Sequence, residues 1–217
     1  MKKRHIALPF FLVLILPTLG AHTVNYALEG TSAGYVFWYY FKLGFEHILP
    51  LGLDHILFVV SLFLLSNKLR DVFWQATAFT VAHTITLILA AKGTINPPAD
   101  IIEPIIAFSI ALVAIENFYV SRLNLWRIVI VFAFGLIHGM GFASALSAYG
   151  LPRDAFYYSL ITFNVGVEIG QFTVILACWL AFGHWFSGRT WYRQRVVMPI
   201  SASIALLAIY WTFERLS

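Results

Sequence analysis

His47, Asp54, His55, His83, Glu103, Glu116, His138 and Glu168 are eight ionisable side chains inside, or at the rims of, apolar stretches long enough to cross a bilayer. A charge at a bilayer centre costs at least about 2.5 to 3.5 kcal/mol on insertion scales, so a group of them needs a shared reason. Imidazoles facing carboxylates offer one, a first-row divalent metal ion held between transmembrane helices.

Spacing narrows the group. In His47-Ile-Leu-Pro-Leu-Gly-Leu-Asp54-His55 the ends are seven and eight residues apart, which puts His47, Asp54 and His55 on one face of a continuous helix. Pro50 lacks a backbone donor and Gly52 a side chain, so that helix can loosen and offer carbonyl oxygens. A plainer reading is a kinked helix whose Asp54 and His55 bond each other or a neighbour. His83 lies near the middle of a second apolar run, and His138 follows Gly135 in a small-xxx-small pair with Gly139 that admits a neighbouring backbone. Asn164, Glu168 and Gln171 make a polar stripe at i, i+4 and i+7. His83 is about twelve residues from its inner helix end, or ~18 Å, and His138, Glu168, Asp54 and His55 fall at similar depth. The metal set read from the sequence is therefore His47, Asp54, His55, His83, His138 and Glu168. Glu103 near the outer rim and Glu116 with Asn117 in the inner third are too far apart to share one ion, and with Asn164 and Gln171 they are read as pathway or supporting groups.

The elements that must position these residues are helices. Of 217 residues 60% are hydrophobic and only 11% charged, less than half the charge of an ordinary soluble domain. Apolar runs of about twenty residues recur along the chain, and the alternating ten-residue segments of a β-barrel are absent. The fold class is all-α, a polytopic bundle with spans near 44–66, 71–91, 100–120, 127–149, 156–182 and 196–214. Residues 1–21 have the three parts of a secretory signal, with an uncleaved anchor as the alternative reading, and residues 22–43 read as an external interfacial segment. Cleavage after Gly20 fits best, whereas cleavage after Ala21 would expose His22, a candidate for external metal capture. From an outside start, the inner loops hold Lys68, Arg70, Arg122, Arg127, Arg189, Arg193 and Arg195, while the outer loops hold only Lys92 and Arg153. That asymmetry predicts both termini outside and a bacterial inner membrane location. The net charge of +4 serves orientation rather than nucleic-acid binding. A single cysteine, Cys178, excludes an intrachain disulfide and a multi-cysteine metal cage.

At these motifs the chain resembles the second branch of the HupE/UreJ family, hydrogenase and urease accessory membrane proteins regarded as nickel permeases. The matching segments are GFEHILPLGLDHILF (44–58), FTVAHTITL (79–87), IEPIIAFSIALVAIEN (102–117), FGLIHGMGFA (134–143) and FNVGVEIGQ (163–171). The Ala21-His22 pair also matches the family's common cleavage site. In the family signature His-Pro-x-x-Gly-x-Asp-His, Gly52, Asp54 and His55 correspond, whereas His47 is one residue further away and Pro50 is displaced. The resemblance implies a nickel-handling role for Asp54 and His55 and a functional link to nickel-enzyme maturation.

Three functions compete. A permease for Ni²⁺ or a similar ion uses the imidazoles as ligands and the rim carboxylates as a path, and with no phosphate-binding loop the chain cannot use ATP alone. An intramembrane hydrolase would hold Zn²⁺ on three histidines and a carboxylate, with Glu168 as general base. A scaffold would use the polar groups only to join helices, at roughly 0.6 kcal/mol per bond, little return for burying so many ionisable groups.

Overall fold

The structure, a computed structural model, describes residues 25, 28–66, 68–120 and 123–217. The signal reading and His22 lie outside the described residues. Those residues are helical with no strand among them. The main helices are α1 (Ala33–Ile48), α2 (Leu53–Leu65), α3 (Leu69–Ala91), α4 (Ala99–Tyr119), α5 (Leu125–Tyr149) and α6 (Phe156–Cys178). A wide π turn, Trp179–Gly183, carries α6 into the short α7 (His184–Phe186), and a second one, Arg193–Val197, opens α8 (Met198–Glu214).

Five helical segments are long and apolar enough to cross a membrane, and α1 with α2 makes a sixth if that bent pair is one span. From α3 onward, the helix ends follow the apolar runs to within a few residues. The first span departs from the expected single helix. It starts at Ala33, where the Ser32 hydroxyl accepts from the Tyr35 amide, and it breaks at Leu49–Gly52 with a bend of 68°. Pro50 and Gly52 sit in that break, where a missing donor and a missing side chain cost least. With 16 and 13 residues, α1 and α2 are each about 20–24 Å long, too short to cross a ~30 Å hydrocarbon core alone. Residues 33–43, expected as part of an interfacial segment, belong to α1 and pack on α6.

Three extensive pairings hold the bundle together: α3 with α5, α1 with α6, and α4 with α8. Glycines set two of them. A Cβ on Gly139 would lie 2.3 Å from the His83 carbonyl oxygen, and one on Gly135 2.5 Å from that of Phe79. Likewise, a Cβ on Gly44 would lie 1.9 Å from the Phe163 carbonyl oxygen. In lipid, where apolar surface gives helices little reason to associate, such backbone contact is a main source of pairing. It also brings the helices that carry His83 and His138 as close as two helices can come.

At the end of the bundle where α3 begins, a buried polar knot joins the same helices. Arg127, fully buried on α5, donates to Glu116 at 2.7 Å and to Gln75 at 3.0 Å. Asn117 donates to the Ser61 carbonyl and the Ser201 hydroxyl, and Arg193 donates to the carbonyls of Asn117 and Phe118.

Gly139→Ala is expected to cost about 1–3 kcal/mol by overpacking, read as a lower thermal midpoint in detergent. Gly188→Ala, whose added Cβ meets nothing within 4 Å, should leave that midpoint unchanged.

Candidate metal centre

The break in the first span turns α2 back towards α1 and brings His47, near the end of α1, against His55 in the first turn of α2. Their ring centroids are 4.6 Å apart, and that of His83 from α3 lies 6.1 and 6.0 Å from them. One ring nitrogen of each of His47, His55 and His83 lies within 4.8 Å of the other two. The Nε2 atoms of all three are buried with no hydrogen-bond partner among the described residues. Donors this close, on rings this buried, can share one cation.

Two of the imidazoles have their tautomers set from behind. The Asn164 side-chain nitrogen donates to the Leu160 carbonyl at 2.8 Å, so its oxygen accepts the Nδ1–H of His83 at 3.0 Å. The Nε2 of His83 is then a lone pair. Ser109 donates its hydroxyl proton to the Ile106 carbonyl at 2.7 Å and so accepts the Nε2–H of His138 at 3.0 Å. That leaves Nδ1 of His138 as a buried lone pair without a partner, on a ring 5.1 Å from that of His55. Outer hydrogen bonds of this kind orient metal-binding histidines and raise their basicity. Phe58, Phe79, Phe142 and Phe163 wall the group, with the Phe142 ring centroid 3.9 Å from that of His47.

A cavity of about 600 Å³ reaches His47, His55 and His138 from the end of the bundle where α4 begins and α8 ends. Its acidic groups are Glu46, Asp54 and Glu103. Near the start of α3, Arg70, Phe73, Trp74 and Thr77 line an open groove along one face of that helix. Three polar rungs join α3 and α6 from His83 down to that groove: His83 with Asn164, Thr80 with Gln171, and Thr77 with Glu168.

The carboxylates read as ligands lie elsewhere. Asp54 is held by both terminal nitrogens of Arg215, at 2.8 and 3.1 Å, in the cavity wall. Glu168 accepts from the Thr77 hydroxyl at 2.5 Å and keeps its other oxygen, Oε2, buried and unpartnered. Neither carboxylate belongs to the three-imidazole group among the described residues. Glu103 is exposed in the cavity wall, while Glu116 and Asn117 lie in the polar knot around Arg127 and Arg193. Gln171 is fully buried, with its Nε2 unpartnered. Ser109 and Thr77 stand out in no sequence motif, and Arg215 reads only as a basic flank of the last span. A hydroxyl in an apolar run usually bonds its own helix, and an arginine beside the last span reads as a flank.

Fold and site together define an integral membrane protein of bundled helices, with a buried imidazole cluster open towards one end. Residues 23–215 match the family model described as HupE / UreJ protein, and the chain belongs to the HupE/UreJ family. No curated protein and no solved structure matches it.

Asn164→Ala removes the acceptor that sets the His83 tautomer. It is expected to weaken Co²⁺ binding to purified protein about 10- to 100-fold with the helical circular dichroism intact. Unchanged affinity would mean that the Nε2 lone pair of His83 takes no part.

Proposed function

We propose that this chain is a permease for a divalent transition-metal ion, with Ni²⁺ the first candidate and Co²⁺ the second. The observation that carries the reading is the convergence of His47, His55 and His83, each with a buried unpartnered ring nitrogen, two of them lining an acid-rimmed cavity that also reaches His138. Carboxylates at the rim attract a hydrated cation. Imidazole is the ligand type that suits Ni²⁺, Co²⁺ and Zn²⁺ and disfavours Mg²⁺ and Ca²⁺.

The ligand set is also suited to release. Three neutral imidazoles give the ion no compensating charge, so it is held by coordination alone. Conduction needs binding strong enough to admit the ion and weak enough to let it leave. The rungs through Asn164, Gln171 and Glu168 offer the way onward, with Glu168 the next carboxylate along α6. An inward-negative potential drives a divalent ion by about 4.6 kcal/mol per 100 mV, from ~2.3 per charge. Family membership supports nickel as cargo and a link to nickel-enzyme maturation. Charge bias in the loops supports an inner-membrane location with both termini outside. A zinc hydrolase has less to stand on, because Glu168, its intended base, is bonded to Thr77.

The test is uptake. Purified protein in sealed vesicles, with a metal-sensitive dye inside, is expected to give saturable influx of Ni²⁺ and Co²⁺ that His55→Ala abolishes without loss of fold. Tightly bound Zn²⁺ with no influx of any ion would contradict the permease reading.

A further inference from the structure

Arg215, the C-terminal cap of α8, sends its guanidinium into the wall of the cavity that leads to the imidazoles. Nη1 donates to Oδ2 of Asp54 at 2.8 Å and Nη2 to Oδ1 at 3.1 Å, the two-bond fork that arginine makes with carboxylates. Nη1 also lies 3.3 Å from the Glu103 carbonyl oxygen, and the Trp211 ring centroid is 5.5 Å from the guanidinium carbon. Both side chains of the pair are only 24% exposed. The fork is therefore a held position rather than a loose surface contact.

Its place in the cavity is unexpected. An acidic rim favours a divalent cation, and Glu46 and Glu103 leave it acidic, with Lys42 3.7 Å from Glu46. Yet the carboxylate next in sequence to His55 is neutralised by a cation of the protein itself. An incoming ion must take that carboxylate from Arg215 or pass it by.

We propose that Asp54 is an outer capture site for divalent cations and that Arg215 is its tethered competitor, a gate that favours ions able to move on to imidazole. The inference rests on the reading of the histidine cluster as a cation site. Its logic is exchange. An ion that binds only oxygen merely replaces one charge partner of Asp54 by another. Mg²⁺, which sheds its water reluctantly and prefers oxygen ligands, gains least by that exchange. An ion that also binds nitrogen gains His55 beyond, a ligand for which a guanidinium cannot compete. Arg215 thereby holds the capture site against Mg²⁺ and Ca²⁺ and yields it to Ni²⁺, Co²⁺ or Zn²⁺.

The test follows Co²⁺ binding to purified protein in detergent by stopped-flow visible absorption, with and without millimolar Mg²⁺. Wild type is expected to bind Co²⁺ at a rate that Mg²⁺ leaves unchanged. Arg215→Gln frees Asp54, so Co²⁺ should bind roughly three- to tenfold faster, the scale on which one rim charge alters association. Mg²⁺ should now slow that binding, and adding Asp54→Asn should remove both effects. A purely structural tie between α8 and α2 would lower the thermal midpoint and create no Mg²⁺ sensitivity. Wild-type binding that Arg215→Gln neither speeds nor makes Mg²⁺-sensitive overturns the gate and leaves the imidazole site standing. No Co²⁺ binding by wild type overturns both. Should Arg215→Gln fail to fold, Arg215→Lys keeps the charge and breaks the fork. It is expected to show a smaller gain in rate with Mg²⁺ sensitivity, and wild-type behaviour in that variant overturns the gate.

Discussion

Hydroxyls inside a membrane helix satisfy themselves on the carbonyl one turn back, and Ser61, Thr80, Thr84 and Thr86 all do so here. An imidazole lone pair has no such recourse, because its own helix offers no free donor. Four of these lone pairs or unpartnered nitrogens, on His47, His55, His83 and His138, are collected behind a wall of phenylalanines. Leaving buried polar atoms unpaired costs free energy in any fold. Here the cost falls on the groups best able to recover it by binding a metal ion. Much of the surrounding structure serves to keep them in that state. Asn164 and Ser109 take up the outward N–H groups, and Gly135 and Gly139 let α5 reach α3.

Charge is arranged with equal economy. Among the described residues no carboxylate joins the imidazole group, while carboxylates stand on either side of it, Asp54 in the cavity wall and Glu168 on the rungs between α3 and α6. On the permease reading, an ion on these ligands would be drawn towards a carboxylate on either side. That differs from a structural metal site, where anionic ligands enclose the ion and raise its residence time. The remaining buried charge, Arg127 with Glu116, lies in the knot that binds α3, α4 and α5 and is paired for stability rather than exchange.

Much of this was legible in the sequence, and the rest was hidden for definite reasons. Helices from α3 to α8 follow their apolar runs because burying the backbone in lipid demands a helix of that length. His83 and His138 each sit in an unbroken helix, and their rings lie 6.0 and 5.1 Å from that of His55. The first span defeated a count of residues along one axis. A common face for His47, Asp54 and His55 assumed one continuous helix, and the 68° break at Leu49–Gly52 removes the common axis. His47 and His55 still meet, by folding back, while Asp54 turns to Arg215. Glu168 shares its helix face with Asn164 as the spacing required. Thr77, two residues before the FTVAHTITL segment and outside it, donates to its carboxylate. Arg127 read as a loop cation because it begins a span, although Glu116 at the same end of the bundle called for a partner. Interhelical partners of this kind depend on which helices pack together, and no single-helix pattern encodes that.

The central claim is that the imidazoles, not the carboxylates, hold the ion. X-ray absorption at the metal edge tests it directly on purified protein loaded with one equivalent of Zn²⁺ as probe. The account predicts metal–nitrogen distances near ~2.0–2.1 Å and multiple scattering from about three imidazole rings, with one ring lost in His83→Ala. A shell of oxygen atoms alone, without imidazole scattering, would contradict it.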